Sequence, residues 1–144
     1  HDLSVPKMTL VVGFTGKSKP TGPLVAKVKR YVDHSTFARD IVEEIGEVTT
    51  EGVQQMVDGD LEGLGRTMTR DHKLLAILGV SSKELDKLVS SVLPYSYGAK
   101  LTGAGGGGSM IALTDEPQKV MEIIRRKGGQ PFAAETGVPG VKID

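Results

Sequence analysis

Three observations predict an α+β domain. An apolar, β-branched run over Val5–Phe14 opens the chain, several amphipathic helical stripes follow, and two short apolar runs then flank a glycine-rich loop. Helices grouped between strands, with no regular β-α alternation, suit helices on one face of an antiparallel sheet.

The first run ends in TGKSKPTGP, where Pro20 and Pro23 suit an extended stretch and then the first turn of a helix. Leu24, Val25, Val28, Tyr31 and Val32 recur at helical spacing, and Phe37, Ile41, Ile45 and Val48 make a second stripe. Leu61, Leu64, Met68, Leu75 and Leu78 make a third, closed by Gly79 in a C-terminal capping position. Ser81 and Glu84 have capping-box spacing and open a helix that buries Leu85, Leu88, Val89 and Val92 before Pro94 stops it. Tyr97–Thr102 and Ser109–Leu113 read as strands on either side of the loop. Thr114 or Asp115 then caps a helix carrying Val120, Ile123 and Ile124. Residues 130–134 and 138–143 are weaker strand candidates. The order fits a ferredoxin-like split βαβ sandwich with additional helices inserted after the first crossover.

At 144 residues the chain suits one domain. Lys plus Arg equals Asp plus Glu at 18 each, which leaves no electrostatic footprint for nucleic acid or an anionic membrane. Without cysteine, disulfides, thiolate metal sites and cysteine nucleophiles are excluded, and a reducing cytoplasmic setting is permitted. No apolar run approaches the roughly 20 residues of a membrane helix.

The residues that carry chemistry lie in KLTGAGGGGS, Lys100 to Ser109. Glycine fills five of the six positions 103–108. A hairpin turn needs one or two glycines. A longer glycine run lets successive N–H groups turn inward and form an anion-binding concavity, with a phosphate as its natural guest. Two familiar motifs fail on context. Gly103, Gly105 and Gly108 match the dinucleotide fingerprint, but Ser109–Leu113 reads as strand where a helix is required. Gly16-Lys17-Ser18 mimics the end of a Walker A loop, yet its first glycine would fall on Val11 and Pro20 follows closely.

KLTGAGGGG resembles the third sequence motif of the GHMP kinases, in the wording of the mevalonate kinase branch. LLAILGVSSKELDKLV (Leu74–Val89) is similar to that family's Leu-Gly-Val helix junction. KPTGPLVAKV (Lys19–Val28) is similar to its strand-to-helix passage with a threonine four residues before a helix valine. The resemblance runs in order over nearly the whole chain.

What it implies is a GHMP kinase C-terminal domain over 1–144, of archaeal or bacterial type, whose N-terminal ATP-binding domain lies outside this chain. The intact protein would use ATP and Mg2+ to phosphorylate the hydroxyl of mevalonate in the cytoplasm, and the fragment alone would be inactive. Catalytic groups and metal ligands would lie in the N-terminal domain. Thr102, Gly103, Ala104, Gly105, Gly106, Gly107 and Gly108 would face phosphates and substrate, joined by Thr21, whose other reading is a helix N-cap. Mevalonate and the chain's own N-terminal domain are the implied partners, and a homodimer stays open. Two alternatives stand beside this: another GHMP kinase acting on phosphomevalonate or a sugar, and a non-catalytic regulatory domain binding a small molecule.

Asp71 falls on the third apolar stripe, where mevalonate kinases often carry asparagine. It reads as a partly buried carboxylate paired with a basic or backbone group. His1, His34 and His72 lack ligand-like spacing and read as solvated. Lys17 and Lys19 read as solvated or as attracting nucleotide, and Lys100 as a weaker candidate to face the phosphates. Ser109 stands where many relatives place cysteine.

Overall fold

The computed structural model describes residues 6–137. Its elements run β1 (Thr9–Phe14), α1 (Thr21–His34), α2 (Thr36–Asp58), α3 (Leu61–Ile77), α4 (Lys83–Val92), β2 (Gly98–Thr102), β3 (Ser109–Leu113), α5 (Pro117–Arg126) and β4 (Gln130–Glu135). A 3-10 turn over Leu93–Tyr95 links α4 to β2. The strand expected over 138–143 lies outside the described residues.

The four strands form one antiparallel sheet in the order β2-β3-β1-β4. That order is the split βαβ arrangement the sequence predicts. The inserted helices lie within the first crossover, between β1 and β2, and not after it.

Alternation along the strands sets the core. Val11, Ala99, Leu101, Met110 and Ala112 face α4 and α5, where Leu85, Leu88, Val89, Val92, Val120 and Ile124 close the main cluster. A second cluster joins Ala38, Ile41 and Val48 of α2 to Leu74 and Leu78 at the end of α3. A third, built on Met8, Leu64, Met68 and Leu113, ties the start of α3 to the sheet. α1 contributes only half-buried Leu24 and Val28 to the main cluster and buries no residue completely.

Not every helix lies on one face, however. β2 is an edge strand, and α3 runs alongside it. Gly65 and Gly98 bring the two backbones together: a Cβ on Gly98 would lie 2.6 Å from Gly65 Cα and closer still to its carbonyl. At that spacing α3 covers the strand's free donors. The Ala99 N–H donates to Thr69 Oγ1 at 3.3 Å, and the Leu101 N–H donates to His72 Nδ1 at 3.2 Å. An exposed strand edge is thereby covered.

Two capping expectations also change. Ser82, in extended conformation (φ −143°, ψ 161°), is the N-cap of α4 and accepts from the Leu85 N–H. Ser81 instead donates to Asp86, and Glu84 pairs with Lys17. At α5 the N-cap position is Glu116, with no side-chain cap. Thr114 accepts the Glu116 N–H at 2.9 Å just ahead of the helix, while Tyr97 donates to Asp115.

Candidate functional site

The glycine loop hangs from two backbone carbonyls. One belongs to the turn after α3. Gly79 takes φ +77°, its N–H donates to Ala76 O, and the Val80 N–H donates to Leu75 O. This is a Schellman motif. It leaves the Val80 carbonyl facing the loop, where the Gly106 N–H donates to it at 2.6 Å. The other carbonyl is that of Lys17, just past Gly16 (φ +77°), which accepts the Gly108 N–H. Thr15 completes the strap, donating to Gly108 O from its N–H at 2.9 Å and its hydroxyl at 3.0 Å.

All five loop glycines take left-handed φ values, from +71° at Gly106 to +146° at Gly107. At Gly105 the requirement is also one of space, because a Cβ there would meet the Val80 carbonyl carbon at 3.0 Å and its oxygen more closely. The loop is therefore a fixed cradle set by its backbone. Among the described residues, the N–H groups of Ala104, Gly105 and Gly107 have no backbone acceptor. Such unspent donors in a glycine-rich turn are an anion-binding arrangement.

Seven of the eight residues singled out from the sequence line one cleft of about 370 Å³: Thr21, Thr102, Gly103, Ala104, Gly105, Gly107 and Gly108. Ser18, Lys19 and Ser109 line it as well. Gly106 lies behind that lining, where a Cβ would touch Lys19 Cδ at 3.3 Å and Leu24 Cδ2 at 3.4 Å. Thr21 is the first residue of α1 and not its cap, since Pro20 holds the N-cap position.

The lysines divide. Lys17 is paired with Glu84, whose carboxyl that contact holds below its ordinary range, although both groups are well exposed. Lys19 lines the cleft and has no ion-pair partner among the described residues. Lys100 does not face the cleft. It pairs with Asp71, beside the apolar pocket between α2 and α3. Asp71 is thus the buried, paired carboxylate that the sequence predicts, at 7% exposure. The expectation for His72 fails: it is 7% exposed and bonded on both ring nitrogens. Its spacing, four residues after Met68 and three before Leu75, was the available signal. Among the described residues no group of three or more His, Asp or Glu side chains could hold a metal ion.

The chain thus combines a split βαβ sheet, with helices in its first crossover, and a glycine cradle hung from the turns that flank those helices. Residues 51–130 match the family described as GHMP kinases C terminal, and the chain belongs to that family. The mevalonate kinase of Pyrococcus furiosus is 41% identical over 96% of this chain. Among solved structures, Methanococcus jannaschii mevalonate kinase superposes with a TM-score of 0.76 at 29% identity, covering 88% of this chain and 38% of that one. L. major mevalonate kinase, solved in complex with R-mevalonate, gives 0.76 at 27% identity over 85% of this chain and 38% of that one. The chain spans 44% of the Pyrococcus furiosus relative.

Proposed function

We propose that this chain is the C-terminal half of an ATP-dependent kinase that transfers the γ-phosphoryl group to the hydroxyl of mevalonate. The observation that carries the reading is the cradle: a glycine loop tied at Gly106 and Gly108, whose residues with unspent N–H groups line a cleft that also holds Lys19. Phosphoryl transfer asks little covalent chemistry of a protein and much charge stabilisation and positioning. Fixed backbone donors supply that stabilisation without reorganising during the reaction.

In this reading the donors of Ala104, Gly105 and Gly107 receive oxygens of the transferring phosphoryl, and Lys19 adds a positive charge. Thr102 and Thr21 border the accepting substrate. The bond from the bridging oxygen to the γ-phosphorus breaks, and a bond from the substrate hydroxyl oxygen to that phosphorus forms. The hydroxyl proton passes to a base in the N-terminal half, which this chain does not contain. Mg2+ would accompany the nucleotide and supply charge neutralisation at the phosphates, with its protein ligands expected in that same half. A cytoplasmic setting, which the lack of cysteine permits, belongs to the same reading.

A coupled assay on the intact protein, offered Mg-ATP with mevalonate, phosphomevalonate or sugar alcohols, tests this. Turnover on mevalonate is expected, with none from the 144-residue chain alone. Preference for another acceptor would overturn the substrate assignment, and turnover by the isolated chain would overturn the two-domain account.

A further inference from the structure

We propose that His72 is a positioning residue for the glycine loop: as a neutral imidazole it joins Asp86 of α4 to the Leu101 N–H of β2, and its protonation releases the strand that carries the loop.

The hydrogen bonds define the state of the ring. A backbone N–H only donates, so Nδ1, 3.2 Å from the Leu101 nitrogen, presents its lone pair. The single ring proton of the neutral form then sits on Nε2 and donates to Asp86 Oδ1 at 3.2 Å. Asp86 is fixed in turn by the Ser81 hydroxyl and by its own N–H, which donates to Ser82 O at 2.9 Å. The relay therefore runs from the start of α4, through the middle of α3, into an edge strand. Leu101, 1% exposed, lies two residues before Gly103. The opposite edge of β2 is paired with β3, so His72 is the acceptor that finishes this side of the strand.

A proton on Nδ1 would set two donors against each other at that spacing and leave a buried N–H unpaired. Burial resists the charged form most and holds the His72 pKa below its ordinary value of 6.5. The groups facing the ring are Asp86 from α4 and Asp71 from its own helix, which favour the cation, and Lys100 from β2, which opposes it. A depressed pKa keeps the ring neutral at neutral pH and gives the relay an acid limit.

The link between ring and loop is a property of the fold, while its effect on catalysis rests on the function proposed above. Nitrogen-15 NMR of this chain between pH 7.5 and 5 tests the first part. Long-range spectra should show the Nε2-H tautomer, and the amides of Leu101, Thr102 and Gly103–Gly108 should move with the His72 ring in one transition. In H72N the side-chain carbonyl still accepts the Leu101 N–H, so the loop should keep its neutral-pH shifts and lose the transition. In H72A the loop shifts should differ at every pH. A His72 ring that titrates while the loop amides stay still overturns the proposal. So does a transition that persists in H72N. If the wild-type chain unfolds in acid first, H72N must move the unfolding midpoint to lower pH, and an unmoved midpoint overturns it equally.

The intact enzyme supplies the second arm. H72A should lower kcat/KM roughly tenfold at neutral pH, with H72N restoring most of it and extending activity to lower pH. An intact protein without kinase activity would remove the proposed function and leave the NMR result standing.

Discussion

Replacing Gly98 with alanine should separate α3 from β2. The new Cβ would lie 2.6 Å from Gly65 Cα and closer to the Gly65 carbonyl, and both neighbours are backbone. No side-chain rotation relieves the clash, so the helix must retreat by roughly 1.5–2 Å to restore ordinary contact distances. Two hydrogen bonds cross that contact, at 3.3 Å from the Ala99 N–H to Thr69 and at 3.2 Å from the Leu101 N–H to His72. A retreat of that size takes both beyond bonding reach. Each buried donor left unpaired costs about 1–3 kcal/mol, so about 2–6 kcal/mol together. Against the 5–15 kcal/mol typical of a whole domain, that is a large fraction of stability. Guanidinium unfolding of wild type and variant measures it. Gly103→Ala is the comparator, because a Cβ there meets open space and carries only the strain of φ +78°, about 1 kcal/mol. If Gly98→Ala costs no more than Gly103→Ala, the backbone contact does not hold the edge and the reasoning fails.

Three further predictions come from the same geometry. Gly22 in α1 and Gly46 in α2 sit in helices with open space where a Cβ would go, so alanine at either should stabilise by about 0.5–1 kcal/mol in the same unfolding assay. Lys100→Met leaves Asp71 buried without its partner and should cost about 1–3 kcal/mol, less than a fully buried pair because Lys100 is partly exposed; Lys100→Met combined with Asp71→Asn should recover much of the loss. Stability should also fall in acid because of His72. Its folded pKa lies below the unfolded value near 6.5, so the unfolded chain binds the proton first. The contribution is whole above pH 6.5 and declines as the pH drops towards the depressed value, whereas in H72N denaturation midpoints across pH 7.5 to 5 should decline less.

The elements were legible because their burial is periodic. Stripes such as Leu85, Leu88, Val89 and Val92 belong to one face and reach the core as a set. The loop was legible because its glycines exceed what any turn requires. What stayed hidden depends on neighbours that are distant in sequence. Nothing local in Ser81-Ser82 says that Asp86 will take the first hydroxyl and leave the second to cap α4. Lys100 alternates onto the sheet face away from the main core, where Asp71 waits on a helix some thirty residues earlier. The inward position of His72 was marked by its register with Met68 and Leu75, but its polarity argued for solvent. Only the unpaired edge of β2 explains why a polar ring belongs there.

The same geometry ties together three stretches that lie apart in the sequence. Gly105 has no room for a side chain because the Val80 carbonyl occupies that space. Val80 offers its carbonyl because Gly79 turns left-handed and ends α3 in a Schellman motif. Gly107 and Gly108 close on the Lys17 backbone, which is turned towards them at Gly16. The Leu-Gly-Val junction and the segment before α1 therefore act as the two pegs from which the cradle hangs, a role filled by their backbones and not by their side chains. A substitution at Gly79 should disturb the cleft as surely as one at Gly105, although Gly79 does not line it. The site is best understood as a backbone assembly, in which glycine positions are set by carbonyls and the unspent donors are those the pegs leave free.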